Sequence, residues 1–309
     1  MQIQKNIPLN DKNWFATGGP ARFFCEPTTE AEFVQAVQYA RDYNLEIFVL
    51  GTGANILISD DGFDGLVIRP KLKQMISHIG DPLVTAGAGV GIQELIDHCL
   101  DHLKIGLEDF SGIPGSIGGA AYINIHYFKH LLSHFLVSAR VIERTTGLVY
   151  DVDPAWFGFG YNQSKLLEHN HFLMSATFAL KPVDILQAAY ARGRRDEIIR
   201  HRAQRYPQSN TCGSFFRNFH DHEIPEVTNG QKIPFVAYYL DKIGVKGALR
   251  VGGAVVSYQH ANMLVTQLPA TSSDVVNLAR AMQQRVIDQF GITPQPECQF
   301  IGFKEYPLI

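Results

Sequence analysis

Residues 111–121, Ser-Gly-Ile-Pro-Gly-Ser-Ile-Gly-Gly-Ala-Ala, contain four glycines and one proline within eleven positions. Glycine adopts positive φ at little steric cost and lets the backbone approach another molecule closely, whereas Pro114 fixes one φ and removes one N–H donor. The remaining N–H groups of such a loop can converge on an anion. The stretch therefore predicts a shaped turn that is able to hold a negatively charged ligand.

Two further glycine-rich stretches lie upstream: Gly51-Thr-Gly-Ala-Asn-Ile-Leu-Ile58, directly after an apolar run, and Ala86-Gly-Ala-Gly-Val90. Three such turns beside strand-like runs suggest one large ligand that carries phosphate groups. Glycine also marks tight turns whatever the function, so three ordinary turns of a β-rich domain are an equal alternative. The sequence does not indicate a Rossmann fingerprint, because Ile56 stands where the third glycine of G-x-G-x-x-G would be. It does not indicate a P-loop either, because it contains no G-K-[ST].

The bulk properties are those of an ordinary globular protein with room for two or three domains. The chain has 309 residues, of which 46% are hydrophobic and 18% charged. A net charge of −3 argues against a general nucleic-acid binder, which would present a basic face. The sequence has no apolar run of membrane-spanning length, no signal-peptide pattern and no C-x-x-C pair among its four cysteines. We expect no nucleic-acid partner, no membrane, no thiolate metal site and a reducing compartment.

Apolar spacing predicts several helices. Thr29 and Glu32 form a capping-box pattern before a helix, and a final helix is expected to begin at Ser273 and end at Gly291. A helix over 184–204 is rich in arginine. Long charged side chains normally lie in water, so a solvated face is the simpler interpretation; the alternative is that one or two of these side chains bind a ligand phosphate. The arginines of this cluster are Arg192, Arg194, Arg195, Arg200, Arg202 and Arg205.

Several motifs occur in an order that resembles one known family. They are Gly51-Thr-Gly-Ala-Asn-Ile-Leu-Ile58, the glycine loop that starts at Ser111, Cys212-Gly-Ser-Phe-Phe-Arg-Asn218, Leu240-Asp-Lys-Ile-Gly-Val-Lys-Gly247, Gly252-Gly-Ala-Val-Val-Ser257 and Pro296-Glu-Cys-Gln-Phe-Ile-Gly302. Each motif alone is weak, but the ordered set resembles the UDP-N-acetylenolpyruvoylglucosamine reductases, the MurB family of flavoenzymes. The resemblance covers nearly the whole chain.

The resemblance implies an α+β fold, in which a two-part FAD-binding domain of vanillyl-alcohol-oxidase type precedes a smaller α+β substrate-binding domain. The implied boundaries are 1–70 for the first FAD-binding subdomain, joined by the C-terminal strand segment 296–309. Residues 71–183 would form the second FAD-binding subdomain and 184–295 the substrate-binding domain.

The implied activity is the NADPH-driven, FAD-dependent reduction of UDP-N-acetylglucosamine enolpyruvate to UDP-N-acetylmuramate, a peptidoglycan precursor, in a bacterial cytoplasm. NADPH would reduce the flavin, a hydride would pass to the enolpyruvyl C3, and a proton would add at C2. The FAD pyrophosphate would lie between two glycine loops, where backbone N–H groups neutralise it. The implied FAD-binding residues are Gly51, Thr52, Gly53, Ala54, Asn55, Ile56, Gly112, Pro114, Gly115, Ser116 and Gly118.

Two residues match the family's acid–base groups. Hydride addition beside a carboxylate leaves an enolate-like carbanion, which needs a proton donor and hydrogen-bond donors around its oxygens. Ser214 matches the proton-donating serine, and Glu297 matches the carboxyl group that polarises the substrate's acid. The simpler alternatives are a turn serine and a surface glutamate. Substrate binding is implied for Asn218 and Lys246, which match positions that contact the UDP part, and for Tyr161.

The sequence departs from the family pattern in the expected active site. Asn162 replaces the usual arginine of Tyr-Arg-x-Ser and takes its place as the third catalytic candidate, although a donor worth about 10²–10³ in rate is then missing. Gln299 replaces a second arginine, and bulky residues over 125–129 replace small ones. Either another cation compensates (Arg217, Lys129 or the arginine cluster) or the chain is a diverged flavoprotein with a different substrate or a non-catalytic role.

His126, His130 and His134 recur at i, i+4 spacing. On a helix this spacing would place three imidazoles on one face, a possible zinc site. The family pattern has a loop here and no carboxylate accompanies the three histidines, so we expect no metal.

Overall fold

The computed structural model describes residues 1–127, 129–224 and 232–309. Phe128, one of the bulky residues noted above, therefore lies outside the described part of the chain. The helices of the described residues are α1 (Glu30–Asp42), α2 (Ile92–Asp101), α3 (Ile117–Tyr122), α4 (Ile185–Arg205), α5 (Val236–Lys242) and α6 (Ser272–Phe290).

Strands of the first half are β1 (Gln4–Pro8), β2 (Pro20–Cys25), β3 (Ile47–Val49), β4 (Ile56–Ile58), β5 (Phe63–Ile68), β6 (Met75–Ser77), β7 (Leu83–Gly87), β8 (Lys104–Ile105), β9 (His126–Tyr127) and β10 (His130–Leu131). Those that follow are β11 (Leu136–Glu143), β12 (Val149–Val152), β13 (His171–Ala179), β14 (Lys181–Pro182), β15 (Arg250–Val251), β16 (Ala254–Val256), β17 (Leu264–Thr266) and β18 (Gln299–Ile301).

The described chain divides into two compact units. Unit 1 comprises Met1–Lys5, Phe23–Thr52 and Gly65–Arg202, and unit 2 comprises Asn6–Arg22, Gly53–Asp64 and Ala203–Ile309. Our three-part domain division, with its boundaries at 70, 183 and 295, stays a prediction.

Unit 1 is built on an antiparallel sheet of order β12-β11-β13-β7-β6. Successive side chains of a strand point to opposite faces. Phe172 and Met174 of β13 accordingly pack into a core with α1, whereas Leu173 packs into a second core with α2 and α3. Phe178 also packs into the second core, because an irregularity in the pairing of β13 with β11, between Leu173 and Ser175, shifts the alternation. Both faces of the sheet are thus covered, and the loops at its edge carry two of the glycine-rich stretches.

The first helix of unit 1 begins as its sequence predicts, with one change. The Thr29 hydroxyl oxygen accepts a hydrogen bond from the Glu32 N–H, at 3.2 Å. The Glu32 carboxylate, however, accepts from the N–H of Thr28, at 2.7 Å, rather than from that of Thr29. The Thr29 hydroxyl satisfies one of the N–H groups that the first helical turn leaves without a partner. Hydrogen bonds from the N–H and the hydroxyl of Thr28 lower the pKa of the Glu32 carboxyl to about 2.

Unit 2 contains an antiparallel sheet of order β15-β16-β17 and a parallel pair of β18 with β4. Its core is aromatic and aliphatic; Phe215, Phe216 and Tyr239 are among its fully buried side chains. β18 lies in the segment 296–309 and pairs with a strand of the segment 1–70, residue Phe300 opposite Leu57.

The last helix starts earlier than the sequence predicts, so the assignment of Ser273 as its cap was wrong. Thr271 is the N-cap: its hydroxyl accepts from the Asp274 N–H at 3.1 Å, and the Asp274 carboxylate accepts from the Thr271 N–H at 3.0 Å. Ser273 instead donates through both its N–H and its hydroxyl to Asp60, a partner distant in sequence. The predicted end is confirmed, with Gly291 at φ +69.

Within the described residues, no helix combines the length and the apolar character that crossing a bilayer requires.

Stability is expected to fall as the pH drops from about 7 to about 5, because unfolded histidine takes up a proton near pH 6.5. Burial lowers the pKa of five histidines: His98, His126, His169, His171 and His260. Below pH 6.5 the unfolded chain binds more protons than the folded one, so stability present above that pH is lost as the pH falls towards the lowered values. Urea unfolding at several pH values measures this slope.

His171→Gln should reduce the slope, because the variant lacks this half-buried imidazole. His201→Gln is the control, since His201 is exposed. Glu32 and Glu223, with pKa values of about 2, act only below about pH 4.5 and leave this window to histidine. Unfolding free energies that stay constant from pH 7 to 5 would contradict the expectation.

Candidate cofactor and active site

Unit 1 brings Gly51, the first residue of one glycine-rich stretch, together with the other two stretches. The loop 111–121 lies against 86–91, because the N–H groups of Ile117 and Gly118 donate to the carbonyls of Val90 and Ala88 at 2.8 and 2.9 Å. Gly51 lies against the same loop: a Cβ at position 51 would be 2.6 Å from the Ser116 Oγ. An added Cβ would therefore displace the Ser116 side chain, which caps α3 through its bond to the Gly119 N–H.

Some backbone amides of these loops in unit 1 are left for a ligand. The first N–H groups of α3 are used internally, as are those of Gly112, which donates to Gln93 Oε1 at 3.0 Å, and Ile113. Pro114 has no N–H group. Within the residues described, the amides of Thr52, Gly115 and Ser116 donate to no protein acceptor, and the buried Ser111 hydroxyl is also without a partner.

In unit 2 the continuation of the first glycine loop has the same character. Gly53 has φ +70, and its carbonyl accepts the Trp14 N–H at 3.0 Å. The amides of Gly53, Ala54 and Asn55 have no protein acceptor in the described part of this unit. After them, Ile56 enters β4.

The unpaired backbone amides that each of these loops presents fit a ligand with phosphate groups. Backbone N–H groups in such turns form anion-binding concavities without needing a charged side chain. The residues present in these loops therefore fit FAD, which carries a pyrophosphate.

Ser214 and Glu297 lie on adjacent segments of unit 2. Ser214 faces Met263 in an isolated β-bridge, and Phe216 faces Pro296 in another. The N–H groups of Glu297 and Cys298 both donate to the Phe215 carbonyl, at 2.8 and 3.2 Å. Two N–H groups on one carbonyl is the pattern of a β-bulge, which turns a side chain away from the regular alternation. The structure thus places both sequence-predicted residues around Phe215.

The neighbours of Glu297 connect it to the first glycine loop. Asn55 Nδ2 donates to the Glu297 carbonyl at 3.3 Å, and the Gln299 N–H donates to the Asn55 carbonyl at 3.1 Å. In unit 2 a candidate FAD-binding residue therefore shares hydrogen bonds with the segment of a candidate catalytic residue.

Asn218 and Lys246 lie near opposite ends of α5. Asn218 Oδ1 accepts the Val236 N–H at 3.3 Å, so this side chain also holds the start of the helix. Lys246 is exposed, directly after the fully buried Val245. Seven helical residues span about 10 Å, so Asn218 and Lys246 are separated by about the length of α5.

Tyr161 and Asn162 form the tip of a hairpin turn in unit 1, closed by the bridge between Gly160 and Gln163. Asn162 has φ +51, a conformation that asparagine tolerates better than most residues. Both polar atoms of its side-chain amide are buried and have no partner among the described residues. The Tyr161 ring is half-exposed and contacts the ring of His126, with centroids 4.6 Å apart.

Most of the candidate compensating cations are engaged elsewhere. Arg217 forms a bidentate ion pair with Glu223, in which the two guanidinium NH2 groups donate to the two carboxylate oxygens at 2.6 and 2.7 Å. This pair lowers the pKa of the Glu223 carboxyl to about 2. On α4, the first arginines of the cluster pair with acidic residues of the segment 97–109, as a solvated face would. The pairs are Arg192 with Asp101, Arg194 with Asp109 and Arg195 with Asp97.

Two members of the remaining set differ. The Arg202 guanidinium lies 5.2 Å from the centre of the Tyr127 ring and also lies beside Gly112 of the glycine loop. Lys129 is exposed. Arg202 is thus the arginine of α4 that contacts the loop expected to bind FAD.

The three spaced histidines do not share a helix face. His126 lies on β9, His130 on β10 and His134 in a short 3₁₀ turn. The His130 ring lies 3.2 Å from the Asp109 carboxylate. In the part of the chain that the structure describes, no group of three His, Cys, Asp or Glu side chains is arranged to hold a metal ion.

Asn262 is a further polar residue beside the segment of Ser214, and the sequence does not indicate it. Its buried side chain hydrogen-bonds both the N–H and the carbonyl of Phe216. An asparagine in a turn-like stretch carries no signal for such a role, since its partner lies 46 positions away.

Two family models match the chain in succession. The first describes a FAD binding domain and matches residues 21–153; the second describes the C-terminal domain of UDP-N-acetylenolpyruvoylglucosamine reductase and matches residues 204–301. The predicted fold, a FAD-binding domain of vanillyl-alcohol-oxidase type followed by an α+β domain, is confirmed.

Relatives that match nearly the whole chain include two reductases of the same name. UDP-N-acetylenolpyruvoylglucosamine reductase of Solibacter usitatus is 30% identical over 98% of this chain and 97% of its own, and that of Lactobacillus johnsonii is 32% identical over 98% and 95%. The crystal structure of the reductase from Thermus caldophilus is similar at a TM-score of 0.78 and 26% identity, covering 97% of this chain and 99% of that one.

The fold and its glycine loops thus define a two-domain flavoprotein. Within that class, the chain belongs to the UDP-N-acetylenolpyruvoylglucosamine reductase (MurB) family, as the ordered motifs predicted.

Proposed function

We propose that this protein reduces UDP-N-acetylglucosamine enolpyruvate to UDP-N-acetylmuramate, with FAD as cofactor and NADPH as the reductant. The observation that carries the proposal is the pairing of the Ser214 and Glu297 segments around Phe215 in a chain whose full length matches this family. The alternatives, a diverged substrate or a non-catalytic role, have no observation in their favour.

The two glycine loops are proposed to hold FAD. In unit 1, the amides of Gly115 and Ser116 would hydrogen-bond the cofactor's phosphates, and in unit 2 those of Gly53 to Asn55 would do the same. Bound FAD supplies the hydride chemistry, from NADPH to the enolpyruvyl C3 of the substrate.

Ser214 is proposed to donate the proton that adds at C2. A serine hydroxyl is a weak acid, so it must lie close to the carbanion and be aligned with it. The backbone on both sides of Phe215 is hydrogen-bonded, which restricts where the Ser214 side chain can point. Glu297, half-buried on the neighbouring segment, is proposed to hydrogen-bond the substrate carboxylate from its protonated form.

Asn218, Lys246 and Tyr161 are proposed to bind the UDP-sugar. Lys246 is an exposed point charge suited to a diphosphate. The Tyr161 ring, half-exposed beside His126, offers a flat apolar surface. The proposed substrate and NADPH are compounds of the bacterial cytoplasm, so the proposal also places the reaction there.

The test is anaerobic. The purified holoenzyme is reduced with NADPH, UDP-N-acetylglucosamine enolpyruvate is added, and the flavin absorbance is followed. Rapid return of the oxidised spectrum with formation of UDP-N-acetylmuramate is expected. A flavin that stays reduced until air is admitted would contradict the proposed substrate.

Asn162→Ala is expected to slow this substrate-dependent reoxidation about tenfold, the value of one neutral hydrogen bond. The unpaired, buried amide is the group that the replacement removes, and reduction by NADPH should be unchanged. Asn44→Ala is the matched control, because Asn44 is exposed and has φ +50 against +51 for Asn162. Equal rates for both variants in a stopped-flow experiment would exclude Asn162 from the reaction.

A further inference from the structure

We infer that Asn262 is a positioning residue for this reaction: its side-chain amide fixes the backbone of Phe216 and thereby the place of Ser214 beside Glu297. The inference rests on the proposed function for its catalytic part. Its structural part stands on the hydrogen bonds of unit 2 alone.

The side chain of Asn262 bonds the backbone N–H and carbonyl of Phe216, as a neighbouring strand would. Its Nδ2 donates to the Phe216 carbonyl at 2.7 Å, and its Oδ1 accepts the Phe216 N–H at 3.0 Å. Its own carbonyl accepts the Phe215 N–H at 2.8 Å. Asn262 is 3% exposed and Phe216 1%, so no water substitutes for these bonds in the folded protein.

A primary amide is the side chain that this contact requires. It offers a donor and an acceptor about 2 Å apart in one plane, which matches the N–H and C=O of one extended residue. Aspartate has the same shape but lacks the donor, and glutamine has the same groups one methylene further out. The two substitutions therefore perturb the contact in different ways without changing the fold pattern.

The turn that carries Asn262 is itself held. The Asn262 N–H donates to His260 Nδ1 at 3.2 Å, and the Met263 N–H donates to the His260 carbonyl at 3.1 Å. Met263 in turn accepts the Ser257 N–H and forms the bridge with Ser214. These hydrogen bonds restrict the backbone of the turn and so the position of the Asn262 side chain.

The contact reaches the reacting groups through one residue. Phe215 is bonded to Asn262 through its N–H and to the Glu297 segment through its carbonyl, so Ser214 and Glu297 share this anchor. A shift of about 1 Å in a reacting group is enough to slow a reaction about 10²-fold. Loss of the Asn262 donor leaves the Phe216 carbonyl unpaired and lets the 214–216 segment move.

The experiment compares Asn262→Asp with Thr266→Val in the holoenzyme. Thr266 is 1% exposed and its hydroxyl donates to the Phe15 carbonyl at 2.5 Å, so the control also removes one buried side-chain hydrogen bond from unit 2. We expect kcat with UDP-N-acetylglucosamine enolpyruvate to fall about 10²-fold in Asn262→Asp, with KM within about threefold. Flavin reduction by NADPH should be unchanged, and Thr266→Val should keep the wild-type kcat.

A second readout needs no substrate. Amide hydrogen exchange of Phe215 and Phe216, measured by mass spectrometry, should become faster in Asn262→Asp and stay at the wild-type rate in Thr266→Val. Unchanged exchange overturns the inference whatever the enzyme's substrate is. Faster exchange with an unchanged kcat overturns its catalytic part.

The wild-type enzyme separates the two proposals. If wild type fails to turn over the UDP-sugar, the proposed function is wrong, and the exchange result alone decides whether Asn262 anchors the segment. If Asn262→Asp does not retain FAD, Asn262→Gln is measured in the same assays. The same combination of lowered kcat, unchanged KM and faster exchange is expected for it, and a wild-type kcat would again overturn the inference.

Discussion

Ser214→Ala is expected to slow the substrate-dependent reoxidation of the reduced enzyme by about 10²–10⁴, the usual contribution of a general acid. The hydroxyl is the proposed proton source at C2, and alanine leaves the backbone bonds around Phe215 in place. Reduction of the enzyme by NADPH precedes the proton step and should keep its wild-type rate. Stopped-flow absorbance measures the two half-reactions separately.

Ser209→Ala is the control, because Ser209 is exposed in the same polar stretch. Its rates should equal those of wild type in both half-reactions. Two half-reactions slowed equally in Ser214→Ala would mean that the residue supports the fold or the cofactor rather than the proton transfer.

Gly53→Ala is expected to destabilise unit 2 by about 2–5 kcal/mol and to weaken FAD binding. A left-handed backbone costs an ordinary L-residue about 1–2 kcal/mol, and overpacking adds about 1–3 kcal/mol. Both apply here: Gly53 has φ +70, and a Cβ would lie 2.5 Å from the Lys12 carbonyl oxygen and 2.6 Å from the Asn13 Cα. Since both neighbours are backbone atoms, the loop itself must move.

Gly291→Ala separates the two contributions. Gly291 has φ +69, and a Cβ added there would meet nothing within 4 Å, so alanine at this position carries the backbone strain alone. Urea unfolding and FAD titration of both variants give the comparison. Equal losses of stability with unchanged FAD affinity would show that the close approach at Gly53 has no consequence for the cofactor.

Much of the site was predictable because glycine patterns report backbone constraints directly. The sequence supported one shared ligand and ordinary turns equally for 51–58, 86–90 and 111–121, and unit 1 brings Gly51, Val90 and Ser116 together. The family resemblance supplied Ser214 and Glu297, and the structure places them on adjacent segments. Their catalytic roles stay predictions until the half-reactions are measured.

Local signals failed where a distant residue took over a hydrogen bond. Serine is a favoured N-cap residue, but Ser273 donates its N–H and its hydroxyl to Asp60, and Thr271 caps the helix instead. For the arginines of α4 the sequence favoured a solvated face over a phosphate site but did not indicate their partners, which include acidic residues of the segment 97–109. In both cases the partner lies more than 80 positions away in sequence.

By itself, the sequence determined the class of protein and the glycine-rich loops, since these depend on backbone conformations that only glycine and proline impose and on motifs read in order. The tertiary structure alone decided which polar groups meet. Asn262 binds the backbone of Phe216, and the amide of Asn162 is buried without a partner among the described residues, because packing brings together or isolates groups that are far apart along the chain. A hydrogen bond needs its two atoms within about 3 Å, and no local pattern specifies that distance.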